Sequence, residues 1–322
     1  MRVFVAGAGG AIGRRLVPQL VRAGHSVVGM TRSAGKAEGI HAAGGETVVA
    51  DALDEQAVMA AVQGARPEIV VHELTALPER FNLRNFDREF ELTNRLRREG
   101  TDHLVAAARA AGARRFVAQS FAGWPYAPDG GPVKSEEDPL DPDPPPGFRG
   151  TLAAIRYLES AVLSAAGLEG LALRYGPFYG PGTSIGNGGS IVEDVRRRRV
   201  PVVGRGAGVW SFAHIDDAAS ATVAAIERGA PGVYNVVDDD PAPVSEWLPA
   251  LAEAIGAKPP RRIPAWLARL AIGAHGVAMM TRVRGASNAK AKRELGWTLR
   301  YPSWRQGFAA SYVQPATLKV AA

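Results

Sequence analysis

Gly7, Gly10 and Gly13 recur every third residue, directly after a short β-rich run. Glycines at that spacing suit a backbone that must turn sharply and lie against a pyrophosphate. Gly7 would permit the turn, Gly10 the approach of the phosphates, and Gly13 the close packing of a helix on the preceding strand. With Ala11 and Ile12 between them, the first amides of that helix and its dipole would face the anion. The flanks support the reading. Val3 and Val5 alternate with Arg2 and Phe4 before the turn, and Leu16, Val17, Leu20 and Val21 recur at helical spacing after it. A plain Gly-rich turn is the bland alternative, and the strand-to-helix context weighs against it.

Cofactor choice turns on the next strand end. A carboxylate there would accept hydrogen bonds from both hydroxyls of an adenosine ribose and favour NAD. This chain has Thr31, Arg32 and Ser33 instead. Arg32 and Ser33 suit a 2′-phosphate gripped through charge-assisted hydrogen bonds, so NADP is the preferred cofactor and NAD the alternative.

These residues need a scaffold, and the sequence describes one. Strands read at His25–Thr31, Glu46–Ala50, Pro67–His72 and Arg115–Ser120. Helices read over Ala37–Ala43, from Asp54 through Val62, and as one long helix over Phe86–Ala111. Alternation at this pitch predicts an α/β fold, a Rossmann-type doubly wound parallel sheet. From Phe121 to Gly150 proline and glycine dominate, a long loop beyond the carboxyl end of a strand, where ligands bind in such sheets. A helix over Thr151–Ala166 and a strand at Gly170–Arg174 resume the pattern. The division expected is a dinucleotide-binding domain over 1–174 and a smaller substrate-binding lobe over 175–322, with a return strand near 232–237.

Composition narrows the class. The 322 residues are 46% hydrophobic and 22% charged, an ordinary globular balance. There is no cysteine, which removes disulfides, thiolate catalysis and Cys-based metal sites, and no metal site is expected. The first strand starts at residue 1 and no apolar run reaches spanning length, so a cytoplasmic protein without membrane attachment is expected. The net charge of +6 is spread along the chain, against a nucleic-acid partner. Its one dense run, Arg196–Arg199, reads as a solvated helix end or as a clamp for an acidic substrate. The partner expected is a small-molecule substrate, with homodimerisation left open.

The chain resembles the short-chain dehydrogenase/reductase superfamily in its extended nucleotide-sugar epimerase/dehydratase form. The likeness runs through the three glycines, Asp51–Asp54, Arg174–Gly182, Phe212–Asp217, Val233–Val237 and Ser287–Trp297, nearly the whole length. It implies that Gly7, Gly10, Ala11, Ile12 and Gly13 hold the pyrophosphate. Asp51 and Ala52 would meet the adenine, and Leu74, Thr75 and Ala76 the ribose side. Gly176 to Tyr179, with Gly176 and Phe178 as the named contacts, would lie near the nicotinamide.

The resemblance fails where chemistry would be done. Members typically use a Tyr, a Lys four residues later, and a Ser or Thr at the end of strand five. The Lys lowers the Tyr pKa, and the Tyr exchanges a proton with the reacting oxygen. Here Thr151 and Ile155 take the Tyr and Lys positions. Ser120 stands at the strand end, although the usual slot falls on Phe121 if the register shifts by one. Substitutes must come from nearby: Tyr126 as proton donor or as an aromatic wall, with Ser120 beside it. Tyr175 and Tyr179 read as packing, and His72 as a buried core histidine. Asp216 or Asp217 reads as a helix cap, and Arg156 as a cation only after a helix shift.

The function expected is an NADP-dependent oxidoreductase of atypical type, acting on a small carbonyl or alcohol with a non-standard proton donor. Two alternatives are a nucleotide-sugar epimerase or dehydratase and a non-catalytic NADP(H)-binding redox sensor. Trp266–Met280 could line a pocket, pack the smaller lobe or face a partner.

Overall fold

The computed structural model describes residues 1–78, 80 and 82–312. Seven strands form its central sheet: β1 (Arg2–Ala6), β2 (Ser26–Thr31), β3 (Glu46–Val49), β4 (Ile69–His72), β5 (Arg115–Phe121), β6 (Glu169–Tyr175) and β7 (Gly232–Val236). They lie in the order β7-β6-β5-β4-β1-β2-β3, and every pair is parallel. The chain leaves β1 in one direction and returns at β4 on its other side. The crevice that opens at this reversal is where open α/β sheets take their ligands.

Alternation in the strands sorts side chains to two faces. Val3, Val5 and Val71 pack with Leu16 and Leu20 of α1 (Gly13–Arg22) on one face. On the other, Phe4, Val70 and Phe116 meet Val58 and Val62 of α3 (Glu55–Ala65) and Leu104 of α4 (Thr101–Ala110). The short α2 (Ala37–Ala42) follows β2. Both faces are therefore buried, which explains the nearly continuous apolar runs in the central strands.

The single helix expected over Phe86–Ala111 is broken. Short helices at Phe86–Glu89 and Glu91–Arg95 lead into a π-helical turn, Leu96–Gly100, before α4. Within it Arg97 is buried and donates to Asn94 Oδ1 at 3.3 Å, while Thr101 Oγ1 donates to the Arg97 carbonyl at 2.8 Å. Such turns widen a helix by one residue and re-aim its side chains. The next helix, α5 (Arg149–Leu163), begins two residues earlier than expected because Asp87 accepts from the Gly150 and Thr151 amides at 2.9 and 2.8 Å.

Beyond β6 a further core forms around Trp210, Phe212, Trp247, Leu251, Met279, Trp304 and Phe308. The chain leaves it through α6 (Ile215–Arg228) to make β7. The long loop after β5 is pinned to this part of the molecule by pairing of Val133–Lys134 with Gly285–Ala286. The last helix to concern the site is α7 (Ala265–Thr281), kinked where Gly273 takes φ 71°. Its first half leaves Trp266 70% and Leu270 65% exposed, and its second half turns His275, Met279 and Met280 inward. Among the described residues no helix is long and apolar enough to cross a membrane.

Candidate active site

The turn between β1 and α1 has the form its glycines require. Gly7 takes φ +94°, and a Cβ there would lie 2.7 Å from the Glu73 carbonyl oxygen. A side chain on Gly13 would fall on the Gly7 and Ala8 carbonyls. The turn is closed by the Gly10 amide donating to the Gly7 carbonyl at 2.9 Å. Helix α1 has no side-chain cap, and the amides of Ala11, Ile12 and Gly13 take no carbonyl within the turn. Uncapped amides at a helix start are donors waiting for an anion, so the residues present fit a dinucleotide pyrophosphate.

Beside this turn lies a cavity of about 210 Å³ between α1 and α2. Ala8, Gly9, Arg14 and Lys36 are among its walls, and no acidic residue is. The Lys36 stem covers Gly9, where an added Cβ would meet it at 2.9 Å. Arg32 and Ser33 are exposed at the end of β2 on the same side, and the Ser33 amide is held by Thr31 Oγ1 at 3.2 Å. Arg14 and Lys36 were missed in the sequence. Their signal was charge placed one residue past Gly13 and three past Ser33.

The other positions expected to meet a cofactor follow the ends of β3, β4 and β6. Asp51 Oδ1 accepts from the Leu53 amide at 3.0 Å, and the buried Ala52 offers its carbonyl to His103 Nδ1 at 3.0 Å. Leu74 donates its amide to His72 Nδ1 at 3.2 Å, and the Ala76 amide donates to Thr93 Oγ1 at 3.0 Å, with the exposed Thr75 between them. The Gly176 amide donates a hydrogen bond to the Val236 carbonyl at 3.1 Å, and a Cβ there would collide with the Ser211 carbonyl. Phe178 follows, half-buried against Tyr175.

Thr151 and Ile155, which the resemblance sets at the Tyr and Lys positions, both lie on α5. Thr151 is buried, and its Oγ1 accepts from Asn94 Nδ2 at 3.0 Å. Ile155 packs in an aromatic cluster of Phe86, Phe90, Phe148 and Leu152, with Phe121 and Trp124 against it. Arg156 turns away, donating to the Asp141 carbonyl.

Ser120 and Tyr126 are brought together, but in the interior. Ser120, Arg174 and Asn235 form a cross-strand row on β5, β6 and β7. Ser120 Oγ donates to Glu159 Oε1 at 2.6 Å. Arg174 clamps the same carboxylate with two bonds, 2.7 Å from Nε and 2.6 Å from Nη2, and donates from Nη1 to the Tyr126 hydroxyl at 2.9 Å. Tyr126 in turn donates to Asn235 Oδ1 at 2.7 Å and is only 2% exposed. Burial raises its pKa above the ordinary phenol value, against the pull of Arg174. A hydroxyl so placed is a weaker acid than free tyrosine, and its proton is already engaged.

Other polar groups hold the frame. His72 is buried, with Nε2 bonded to Thr101 Oγ1 at 3.1 Å, and burial lowers its pKa to about 4. Glu73, unnoticed in the sequence, lies buried beneath the glycine turn and takes a bond from the Tyr175 hydroxyl at 3.0 Å; burial raises its pKa to about 8. The cap expected from Asp216 or Asp217 is made by His214 instead, whose Nδ1 accepts from the Asp216 amide at 3.2 Å. Asp217 bonds the Arg300 and Tyr301 amides, each at 2.8 Å. In the arginine run Arg196 pairs with Glu193 at 2.7 Å and Arg199 with Asp194 at 3.5 Å.

A sheet of this order with this turn at its switch point defines a Rossmann-type dinucleotide-binding architecture. The model of the NAD dependent epimerase/dehydratase family matches residues 3–236, and the chain belongs to that family. Over 308 residues it is 49% identical to the 3-diazoavenalumate denitrifying reductase of a Streptomyces species, covering 95% of this chain and 99% of that one. It is 30% identical over 269 residues to the 2-alkyl-3-oxoalkanoate reductase of Stenotrophomonas maltophilia, covering 80% and 76%. The UDP-glucose 4-epimerase of Thermotoga maritima, solved with UDP-glucose, shares the fold at a TM-score of 0.74 and 24% identity over 97% of each chain. Family and reductase-named relatives together make this chain a nicotinamide-dependent oxidoreductase.

Proposed function

We propose that this chain is an NADP-dependent reductase that removes a diazo group from an aromatic substrate without an acid supplied by the protein. The observation that supports the reading is what occupies the expected Tyr and Lys positions: Ile155 lies in an apolar cluster with Phe121 against it, and the Thr151 hydroxyl is bound by Asn94. Reducing a carbonyl requires a proton on the oxygen, and members that do so supply it from a tuned Tyr. A diazonium ion is already cationic. It accepts a hydride, which bound nicotinamide supplies, to give a diazene that breaks into dinitrogen and a C–H bond, so the hydride, the charge and both nitrogens are accounted for. The whole-length likeness to a diazo acid reductase supports the same chemistry.

In this reading Gly7, Gly10, Ala11, Ile12 and Gly13 hold the pyrophosphate. Arg32 and Ser33 at the end of β2, with Arg14 and Lys36 on the walls of a neighbouring cavity that has no carboxylate, hold the 2′-phosphate and support NADP over NAD. Asp51 and Ala52 face the adenine, Leu74, Thr75 and Ala76 the ribose side, and Gly176 and Phe178 the nicotinamide. Ser120 and Tyr126 position the strand ends through Glu159 and Arg174 rather than exchange a proton with substrate. Residues 175–322, apart from β7, form the substrate-binding lobe.

The test is cofactor oxidation by the purified protein with an aryldiazonium salt and, in parallel, a panel of ketones and β-keto acids. Turnover with the diazonium and little with the carbonyls is expected. Faster turnover of carbonyl compounds would return the reading to a carbonyl reductase with an unusual donor.

A further inference from the structure

Two stretches that stand out in the sequence, Arg196–Arg199 and Trp266–Met280, take no part in the proposed chemistry. The fold brings the first against the start of the second. The arginine run begins at the last residue of a helix over Ser190–Arg196 and leads into Val202–Val203. That short strand pairs in parallel with Arg262–Ile263, directly before α7. Arg198 Nε donates to the Pro259 carbonyl at 3.1 Å, and the Val202 amide to the Arg261 carbonyl at 2.8 Å. Arg196 and Arg199 are paired with Glu193 and Asp194. Arg197, Arg198, Lys258, Arg261, Arg262 and Arg269 stand in no ion pair among the described residues, and all but the half-buried Arg198 are exposed. Between Glu253 and Glu294 the chain has no acidic residue to neutralise them.

Amid these cations α7 bares an apolar face. Trp266 is 70%, Leu267 44% and Leu270 65% exposed, all before the kink at Gly273. Trp266 and Leu270 are four residues apart, so they lie one above the other on the helix surface. Charge decides what such a face can meet. A second copy related by a twofold axis would set the same unpaired cations against one another. A nucleic acid would engage the cations through its phosphates and leave the three apolar side chains without a partner. An anionic bilayer satisfies both sets of groups. Its headgroups attract arginine and lysine, and the boundary beneath them takes up Trp and Leu from a helix lying in its plane.

We propose that the first half of α7, with the basic strip beside it, is a docking surface for an anionic lipid bilayer. The expectation of no membrane attachment rested on the lack of a spanning run, and an interfacial face needs none. The proposal is independent of the reaction assigned above.

The experiment floats the full chain with vesicles of phosphatidylcholine, and with vesicles of phosphatidylcholine and phosphatidylglycerol in equal parts. Binding to the anionic vesicles is expected to be at least about tenfold tighter, and to weaken as salt is added. Replacing Arg261 and Arg262 together with Gln should lower it by about ten- to thirtyfold. Trp266→Ser combined with Leu270→Ser should lower it by about tenfold or more. Phosphatidylglycerol brominated on its acyl chains should quench tryptophan fluorescence, and Trp266→Phe should abolish that quenching while vesicle binding persists. All four side chains are exposed, and thermal unfolding establishes that each variant is folded. Equal binding to the two kinds of vesicle, or binding to neither, would overturn the proposal. So would anionic binding without quenching of Trp266, which is adsorption by charge alone. A dimer in sedimentation that Trp266→Ser dissolves would assign the face to a second copy instead. Duplex DNA that displaces the vesicles, with the Ser variants binding it as tightly as the wild type, would assign the cations to nucleic acid.

Discussion

At the scale of single residues, Tyr126 decides between two accounts of the chemistry. Its hydroxyl ties Arg174 to Asn235 in a row that also carries the buried Arg174–Glu159 pair. Tyr126→Phe leaves both partners short of a bond, and a loss of roughly 1–3 kcal/mol in unfolding free energy is expected. Turnover with a diazonium substrate should stay near that of the wild type. Were Tyr126 the proton donor, turnover would fall by about 10²–10⁴-fold. Glu159→Leu should be more harmful, by about 3–5 kcal/mol, because it strands a buried guanidinium. Glu73 behaves in the opposite way. Its folded pKa of about 8 lies above the ordinary 4.5, so the folded chain holds a proton the unfolded chain releases. That contribution is complete below pH about 4.5 and is lost as pH rises through about 8. Glu73→Gln keeps an acceptor for the Tyr175 hydroxyl, and should stabilise the protein by roughly 2–4 kcal/mol at pH 8 and hardly at all near pH 4.5. Chemical denaturation at the two pH values measures it.

At the scale of elements, the β1–α1 turn could be read directly, because its glycines serve local needs: a positive φ at Gly7 and no room at Gly13 for a side chain. The strands were equally plain, since apolar runs in a doubly covered sheet leave a clear trace. The segment after Phe86 was not. Its periodicity is helical throughout, and what breaks it is tertiary: Arg97 and Asn94 bond within the widened turn, and Asn94 reaches Thr151 on a helix 57 residues further on. Local pattern carries no record of such a partner. For the same reason Ser120 and Tyr126 could be singled out as polar groups at the right strand end, but not seen to point into the Glu159–Arg174 network. The sequence reading set Thr151 and Ile155 at the expected Tyr and Lys positions; in the structure Ile155 lies in an apolar cluster and Thr151 bonds Asn94. The basic groups after β2 lay between these cases: Arg32 was legible, Lys36 on the cavity wall was not. Replacing Arg32 and Lys36 together with Ala is expected to weaken NADPH binding about ten- to a hundredfold, the scale of charge-assisted bonds, and to leave NADH nearly unaffected. Fluorescence titration with both cofactors checks it. Equal losses would remove the 2′-phosphate role.

At the scale of the whole molecule, an uncapped helix start and a cavity with basic walls lie beside each other after β1, and an aromatic cluster packs around Ile155. Three buried histidines lie in this frame, His72 at the end of β4, His214 at the start of α6 and His275 stacked on Phe148. Burial lowers each pKa from 6.5 to about 4. Between those values the unfolded chain takes up protons that the folded chain refuses, so stability should fall as pH drops from about 6.5 towards 4. With Glu73 acting at the alkaline side, a melting-temperature profile against pH is expected to peak near neutrality and decline in both directions. The central claim is that this molecule keeps the nicotinamide cradle and reduces a substrate needing no protein acid. It is tested most directly by following dinitrogen release and NADPH oxidation together, with an aryldiazonium substrate and Gly13→Ala as the protein control. One dinitrogen released for each NADPH oxidised, with no acceleration by the control, is the expected result. NADPH oxidation without dinitrogen, or no enzymatic acceleration of either, would contradict the claim.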